Sequence, residues 1–304
     1  MNADDLTLLV TGANGQVGQE LRRRAPGRAQ NVVALDRAGL DIGDADAVAA
    51  AVAKIRPSVI INAAAYTAVD QAESAAAEAD RGNRIGPANL AAAAAAQDAA
   101  LIHISTDYVF DGRGKRPYRA DDPVSPLGVY GQSKEAGERA VRDALARHVI
   151  LRTAWVYAAH GSNFMRTMLR VGHTRDELKV VDDQHGTPTP AADIAEACLS
   201  IAGHLAGSDG EKFAGTYHYV AEGETTWAGF AEAIFERAAV VWGRRPSVTR
   251  ITSAEYPVPA PRPAYSVLDC AQTLATFKTP RQPWQAGLEA ELSAFFATLE
   301  NNKG

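Results

Sequence analysis

Cysteine is scarce in this chain, with only Cys198 and Cys270 among 304 residues. Two distant thiols cannot form the dense disulfide framework of a small secreted domain, so the composition favours a reducing compartment. Residues 1–5 are polar and acidic, and they lack the basic start and apolar core of a secretory signal. Together these features predict a cytoplasmic protein.

Long apolar runs and basic clusters are also missing. No stretch approaches the ~20 apolar residues of a membrane span, because Asn89, Gln97 and Asp98 bracket the alanine-rich run at 91–96. The formal net charge is −5, and the 31 Lys and Arg residues form no block. Without a basic patch, neither nucleic acid nor a membrane surface is expected as a partner.

What the chain does contain is an alternation of strand and helix patterns. Short apolar strands are predicted at 6–10, 31–35, 59–61, 101–105 and 149–152. Helices are predicted at 16–24, 44–55, 69–80, 83–98 and 130–147. Apolar strands separated by helices are typical of a parallel sheet covered on both faces. Because such crossovers are right-handed, the predicted fold class is α/β, a doubly wound parallel sheet of the Rossmann type.

A glycine-rich turn follows the first predicted strand directly. Gly12, Gly15 and Gly18 are spaced Thr-Gly-x-x-Gly-x-x-Gly, and the turn opens a helix. Gly12 allows the sharp turn, Gly15 lets the backbone approach a pyrophosphate, and Gly18 lets the helix pack on the sheet. Because a helix start offers free N–H groups to phosphates, the turn predicts a dinucleotide site. Small residues after the third strand would let backbone lie against the same cofactor: Ala63, Ala64 and Ala65.

The residue that ends the second predicted strand bears on the choice of cofactor. Asp36 stands there, about 20 residues beyond the glycine turn. A carboxylate at this place accepts hydrogen bonds from the adenosine ribose hydroxyls and repels a 2′-phosphate. Arg37 beside it would instead bind that phosphate. The sequence therefore leaves NADH and NADPH both open and favours the use of both.

The second half of the chain is less regular. Pro- and Gly-rich turns at 186–190 and 256–263 alternate with predicted helices at 191–205, 226–239 and 284–299. This pattern indicates a smaller, partly interleaved lobe over the carboxyl ends of the strands. The predicted division is a Rossmann domain that binds NAD(P) at 1–157, with later returning segments, and a substrate-binding lobe at 158–304.

Two motifs supply groups for proton transfer. Tyr130 and Lys134 are four residues apart and project from one face of a predicted helix. A tyrosine pKa near 10 is too high for acid–base work at neutral pH, and a neighbouring ammonium would lower it. Ser105 and Thr106 end the fourth strand, where ligands bind in such sheets. Either hydroxyl can therefore bond to a substrate oxygen and to Tyr130.

These motifs resemble those of the extended short-chain dehydrogenase/reductases, and within them the dTDP-4-dehydrorhamnose reductases. The likeness runs from about Leu8 to the final helix. Its more specific segments are NAAAYTAVDQAE at 62–73, STDYVFDG at 105–112, RTAWVY at 152–157 and DDQ at 182–184. The activity this resemblance implies is the reduction, by NADPH or NADH, of the 4-keto group of dTDP-4-dehydro-L-rhamnose. The product, dTDP-L-rhamnose, would be a precursor of cell-surface polysaccharide.

The resemblance also implies roles for individual residues. Tyr130 would donate a proton to the C4 oxygen, Lys134 would hold the nicotinamide ribose and lower the pKa of Tyr130, and Thr106 would bind the sugar. The implied cofactor contacts are Gly12, Gly15, Gln16, Val17, Gly18, Asp36, Arg37, Asp41, Ile42, Ala63, Ala64, Ala65, Tyr130 and Lys134. The implied substrate contacts are Thr106, Asp107, Trp155, Asn163, Phe164 and Arg262.

Several of these positions have a second interpretation. Asn163 and Phe164 would serve equally well as a helix cap and a core aromatic residue. Arg262 lies in a proline-rich loop that suits a diphosphate, and the alternative is a solvated loop arginine. His103 lies inside an apolar strand and is interpreted as a core residue. No histidines have the spacing of a zinc site.

One departure from the resemblance concerns metal. Some members of the family bridge two subunits through a divalent metal held by glutamates, and Glu20 matches one of those positions. Ala191 and Ala192 stand where a second glutamate is expected. The sequence therefore gives little support to a bridging Mg²⁺ and leaves a homodimer open.

Two other functions are compatible with the motifs. The first is reduction of another nucleotide-linked 4-keto sugar, such as the precursor of dihydrostreptose, since one pocket group can decide such a choice. The second is a non-catalytic regulatory homologue, such as the regulatory subunit of methionine adenosyltransferase. That role predicts loss of catalytic residues or of Trp155, and none is lost here.

Overall fold

The computed structural model describes residues 6–301. Residues 1–5, whose polar character supported the predicted cytoplasmic location, lie outside this range. The strands are β1 (Thr7–Thr11), β2 (Asn31–Leu35), β3 (Val59–Asn62), β4 (Ala100–Thr106), β5 (His148–Thr153), β6 (Val156–Tyr157), β7 (Glu177–Val181), β8 (His185–Gly186), β9 (Thr189–Pro190), β10 (Gly215–His218), β11 (Thr225–Thr226) and β12 (Ser247–Ile251). The helices are α1 (Gln16–Arg24), α2 (Ala45–Ile55), α3 (Val69–Ala72), α4 (Ala76–Asp80), α5 (Gly86–Ala96), α6 (Val129–Ala144), α7 (Phe164–Gly172), α8 (Ala191–Leu205), α9 (Trp227–Trp242), α10 (Ala271–Phe277) and α11 (Trp284–Asn301).

Six parallel strands form the central sheet in the order β2-β1-β3-β4-β5-β10. Successive side chains of β1 point to opposite faces, so Leu8 and Val10 join one apolar layer and Leu9 joins the other. Helices α1 and α8 cover the first face, and α2, α5 and α6 cover the second. The predicted doubly wound parallel sheet is confirmed. Because β2 and β3 lie on opposite sides of β1, the carboxyl ends of β1 and β3 border the crevice where such sheets bind ligands.

Two segments of the second half return to this sheet. Helix α8 packs against α1, and β10 pairs with β5. Helices α7, α9 and α11 enclose a separate apolar cluster around Phe230 and Phe235. Three small sheets pair β6 with β9, β7 with β12, and β8 with β11. The division into two domains at residue 157 stays a prediction.

The connection between β3 and β4 differs from the prediction of two plain helices. The helix predicted at 69–80 is interrupted between α3 and α4, and a π-helical turn, Arg81–Ile85, joins α4 to α5. The amide of Asn83 in this turn is buried and donates to Tyr66 O and Ser133 Oγ, each at 3.0 Å. These bonds join distant segments of the chain, and local periodicity does not reveal them.

The second half also contains strands that the sequence does not predict. The largest pair is β7 with β12, which align from Ser247–Glu177 to Ile251–Val181. Neither segment is a continuous apolar run in the sequence. Along β7, exposed and covered residues alternate. Within residues 6–301, no helix has both the length and the apolar character needed to cross a membrane.

Candidate active site

A cleft of about 790 Å³ lies over the carboxyl ends of β1, β3, β4 and β5. It brings together most of the residues singled out from the sequence, although they come from many separate segments. Those that line it are Gly12, Gly15, Gln16, Val17, Asp36, Arg37, Asp41, Ile42, Ala63, Ala64, Ala65, Thr106, Asp107, Tyr130, Lys134 and Trp155. Those that do not line it are Gly18, Asn163, Phe164 and Arg262.

The glycine turn brings the start of α1 close to the sheet. Gly12 has a φ of +73°, and a Cβ atom there would lie 2.6 Å from the carbonyl carbon of Ala63. A Cβ atom on Gly18 would overlap the carbonyl oxygen of Gly12, which explains the place of Gly18 beneath the turn. No side chain caps the N-terminus of α1, and its first turn contains no acidic residue. Gln16 and Val17 thus present backbone N–H groups suited to a pyrophosphate, whereas Gly15 N donates to Gly12 O at 2.9 Å and closes the turn.

At the far end of the cleft, Asp36 is held in place by its neighbours. Its carboxylate accepts from Asn14 Nδ2 at 2.6 Å and from Gly39 N at 2.9 Å. Asp41 forms an ion pair with Arg81 at 2.7 Å, and this hydrogen bond lowers the pKa of Asp41. Arg81 also lines the cleft, but no sequence motif points to it, because the π-helical turn places it there.

Replacing Asp36 with Ala is expected to shift cofactor preference towards NADPH. The change removes a carboxylate that would accept from ribose hydroxyls and repel a 2′-phosphate. We expect the ratio of kcat/KM for NADPH to that for NADH to rise about tenfold, equivalent to about 1.4 kcal/mol. Asp46→Ala, which removes an exposed carboxylate outside the cleft, is the control. An unchanged ratio in Asp36→Ala would contradict the ribose assignment.

The phenol of Tyr130 faces Thr106 and Tyr108. The Tyr108 ring packs edge-on against it, with 5.6 Å between ring centroids. Burial raises the pKa of Tyr130 to about 12, and the Thr106 hydroxyl opposes this rise. The pKa of Tyr130 therefore lies above its ordinary value and not below it as expected, and an effect of Lys134 on it stays a prediction. At neutral pH the phenol keeps its proton, which is the form needed in a proton donor.

Lys134 directs its ammonium towards β4. This buried Nζ donates to Ile104 O at 2.7 Å and lies 3.4 Å from His103 Nε2. Burial lowers the pKa of Lys134 to about 8. His103 is fully buried and accepts from Asn62 Nδ2 at 3.0 Å, which confirms it as a core residue. Its contact with Lys134 was not foreseen, because side chains from β4 and α6 meet only in the folded chain.

The two candidate hydroxyls at the end of β4 have different surroundings. Ser105 Oγ donates to Glu138 Oε1 at 2.6 Å in the interior. Thr106 Oγ1 donates to Asp107 Oδ1 at 3.0 Å and lies beside Tyr130. Asp107 Oδ2 has no hydrogen-bond partner among residues 6–301, and burial raises the pKa of this carboxyl to about 6. Of the two hydroxyls, Thr106 is therefore the one placed to bond with Tyr130.

Three predicted substrate contacts lie behind the cleft wall. Asn163 caps α7 by accepting from Arg166 N, and its amide donates to Gln16 Oε1 at 2.8 Å. Phe164 packs against an aromatic cluster that includes Trp227. Arg262 is only 18% exposed, forms an ion pair with Asp70 at 2.8 Å and lies over the Tyr108 ring. The alternative of a solvated arginine is therefore wrong, and contact of all three residues with a sugar nucleotide stays a prediction.

Comparison with known proteins shows the family of this chain. The sequence model of the RmlD substrate binding domain family matches residues 6–296. The chain is 46% identical to a dTDP-4-dehydrorhamnose reductase of Streptomyces griseus, over 94% of this chain and 93% of that protein. It is 43% identical to a dTDP-4-dehydrorhamnose reductase of Sinorhizobium fredii, over 92% of this chain and 94% of that protein. The chain belongs to the dTDP-4-dehydrorhamnose reductase family.

The fold of this family is also evident in a solved structure. The dTDP-4-dehydrorhamnose reductase of Bacillus anthracis, crystallised in complex with NADP, aligns with a TM-score of 0.88 and 36% identity. The alignment covers 95% of this chain and 99% of that one. The shared architecture therefore includes both the central sheet and the segments that surround the cleft.

Glu20, for which the resemblance implied a possible metal-bridging position, is buried and bonded within this chain. It pairs with Arg23, with Arg24 at 3.0 Å and with His160 at 2.8 Å. Burial alone would raise the pKa of Glu20, but these partners lower it. Across residues 6–301, no group of three or more His, Cys, Asp or Glu side chains could hold a metal ion. In this structure Glu20 links α1 to the segment after β6.

Proposed function

We propose that this protein reduces the 4-keto group of dTDP-4-dehydro-L-rhamnose to dTDP-L-rhamnose with NADPH or NADH. The observation that carries the proposal is one cleft containing the glycine turn, Thr106, Tyr130 and Lys134. The relatives that align over more than nine-tenths of the chain are dTDP-4-dehydrorhamnose reductases, which supports the choice of substrate. The NADP complex of the Bacillus anthracis protein supports the choice of cofactor.

The residues of the cleft suit this reaction. When bound, the reduced nicotinamide supplies a hydride to the carbonyl carbon. Tyr130 donates its phenolic proton to the carbonyl oxygen, where negative charge develops. The hydroxyl of Thr106, which donates to Asp107 Oδ1 at 3.0 Å, would turn from that carboxylate to offer the oxygen a second hydrogen bond. Lys134, which donates to Ile104 O at 2.7 Å, would hold the nicotinamide ribose with its remaining N–H groups.

The substrate would extend from the cleft towards residues 158–304. Trp155 lines the cleft and would pack against the sugar. Arg262 has one buried nitrogen, Nη1, with no hydrogen-bond partner among residues 6–301, so it retains a donor for the diphosphate. Asn163 and Phe164 would act through Gln16 and Trp227, which they contact. A homodimer and a cytoplasmic location are further proposals that rest on the sequence.

The direct test follows nicotinamide absorbance while purified protein acts on dTDP-4-dehydro-L-rhamnose and either reduced cofactor. We expect oxidation of the cofactor that depends on the sugar nucleotide, and no loss of absorbance would reject the proposal. Competition with other dTDP-linked 4-keto sugars tests the alternative substrates. A higher kcat/KM for one of those would transfer the assignment to it.

The activity should decline in alkaline solution because of Lys134. Since burial lowers the pKa of Lys134 to about 8, its ammonium loses a proton as the pH rises through that value. The neutral amine attracts the ribose less, so kcat/KM for NADPH should fall above about pH 8. Tyr130, with a pKa of about 12, remains protonated over this range. In Lys134→Arg the guanidinium stays charged, so a fall near pH 8 in that variant would contradict the assignment.

A further inference from the structure

Trp155 contacts Trp227 and Gly186, neither of which takes a direct part in the proposed reaction. Its ring stacks on Trp227, with 3.6 Å between centroids and 6° between planes. The backbone of Gly186 lies so close to the Trp155 indole that a Cβ atom on residue 186 would overlap the ring. Trp155 also lines the cleft.

Both neighbours come from one small antiparallel ladder. Gly186 belongs to β8, and Trp227 follows β11 directly, while Thr225 pairs with Gly186. The spacing between Gly186 and Trp227 is therefore set by backbone pairing and does not depend on flexible side chains. An indole inserted there has little freedom to rotate.

The Asp182-Asp183-Gln184 segment anchors this ladder. Gln184 is buried, accepts from Trp227 Nε1 at 3.1 Å and donates to Ser253 Oγ at 2.8 Å. Asp182 accepts from Thr226 Oγ1 at 2.5 Å, at the residue that caps α9. These bonds fix the orientation of the Trp227 ring. The Asp182-Asp183-Gln184 segment therefore has a structural role, which its acidic character does not indicate.

The backbone of Trp155 also indicates that its position is imposed. Its φ is +48°, a left-handed conformation that a large side chain rarely adopts. Such a conformation persists only where the surrounding packing determines it, and this is common at ligand sites. Gly186 and Trp227 provide that packing.

We propose that Gln184, Gly186 and Trp227 form an indole clamp that positions Trp155 for the sugar ring of the substrate. The inference rests on the proposed function, in which Trp155 packs against the sugar. These three are positioning residues, because they act through Trp155. Because of this clamp, residues outside the cleft lining affect the binding affinity that the sugar ring contributes.

Binding measurements test the clamp. Calorimetry compares dTDP-L-rhamnose with dTDP, which lacks the sugar, in the full-length protein saturated with NADP. In Trp227→Leu we expect binding of dTDP-L-rhamnose to weaken about tenfold, because the stacked partner is lost, while dTDP binding is unchanged. Gln184→Leu, which removes the bond to Trp227 Nε1, should weaken it about fivefold. Trp227→Phe keeps an aromatic face and should recover much of the affinity.

A spectroscopic signature provides an independent measurement. Two indoles in face-to-face contact produce an exciton couplet in far-ultraviolet circular dichroism when one ring is rotated within its plane relative to the other. The couplet should disappear in Trp227→Leu and Trp155→Phe and persist in the control Trp242→Phe, which removes an indole outside the stack. A Trp227→Leu protein that keeps the couplet, or that binds dTDP-L-rhamnose as tightly as before, would overturn the proposal. Should that variant not fold, unchanged dTDP-L-rhamnose binding in Gln184→Leu would overturn it instead.

These outcomes are separable from failure of the proposed function. Absence of turnover by the unaltered protein rejects the activity, whereas the couplet and the difference between the two ligands test the clamp. Equal weakening of dTDP and dTDP-L-rhamnose binding would show that the clamp acts on the nucleotide and would refute its role at the sugar.

Discussion

Replacing Tyr130 with Phe is expected to lower turnover by ~10²-fold or more while NADPH still binds. The change removes one hydroxyl and keeps the ring that packs against Tyr108. Hydride transfer would then leave an alkoxide without its proton donor, and Thr106 alone can only offer a hydrogen bond. Steady-state turnover and the Kd for NADPH, measured by fluorescence titration, separate the loss of chemistry from the loss of binding.

The control for Tyr130→Phe is the same substitution at a tyrosine that lies outside the cleft. Tyr256 is 59% exposed and lies outside the cleft lining, so Tyr256→Phe should retain turnover. If Tyr130→Phe also retained turnover, the proton donor would have to be another group. Asp107 would be the first candidate, because burial raises its pKa to about 6 and its Oδ2 has no partner among residues 6–301.

Replacing Arg152 with Leu is expected to lower the free energy of unfolding by about 3–5 kcal/mol. Arg152 and Glu138 are 3% and 0% exposed, and they are joined by two bonds of 2.9 and 2.7 Å. Removing the guanidinium leaves a carboxylate in the interior without its main partner. The effect reaches the active site, because Glu138 lies on α6, the helix that also carries Tyr130 and Lys134. Urea denaturation at pH 7 measures the change.

An exposed pair provides the control for this prediction. Arg237 and Glu289 are 2.9 Å apart and more than half exposed, so Arg237→Leu should cost less than about 1 kcal/mol. Replacing both Arg152 and Glu138 with apolar residues should recover much of the loss, since no buried charge remains. Equal effects of Arg152→Leu and Arg237→Leu would contradict the importance of the buried pair.

The buried pair of Glu138 and Arg152 also makes the free energy of unfolding depend on pH. Burial by itself would raise the pKa of Glu138, but Arg152 and Ser105 lower it below its ordinary value. A carboxyl with a lowered pKa in the folded state contributes stability above its unfolded pKa of about 4.3. That contribution is lost as the pH falls through the folded pKa. Stability should therefore decline in acid, and the decline should be smaller in the Arg152→Leu variant.

The sequence predicts an element or a motif best where its local signals are strong. The helix at Gln16–Arg24 and the strand at Asn31–Leu35 have the predicted bounds, and so does the helix at Ala191–Leu205. The glycine turn, the strand-end hydroxyl and the Tyr/Lys pair all reach one cleft, because the carboxyl ends of parallel strands share one edge of the sheet. These features depend on a few neighbouring residues, so a single sequence carries them.

Prediction was weaker where the signal lay in contacts between distant segments. The pairing of β7 with β12 was not predicted, because strands of the second half depend on partners far along the chain. The pKa of Tyr130 is raised and not lowered as expected, because spacing along a helix does not reveal burial or the partners of Lys134 on β4. The sequence leaves Arg262 as either a diphosphate ligand or a solvated loop arginine, and the ion pair with Asp70 in the folded chain excludes the second.

The sequence by itself determined the doubly wound sheet, the dinucleotide turn and the residues that can move a proton, since each is encoded in short-range periodicity or spacing. Only the tertiary structure decided that Thr106 and not Ser105 faces Tyr130, that Glu20 is bonded to His160, and that Trp227 stacks on Trp155. Those outcomes depend on which side chains meet across the fold and on how much water burial removes from them. Neither quantity is a property of any short stretch of the chain.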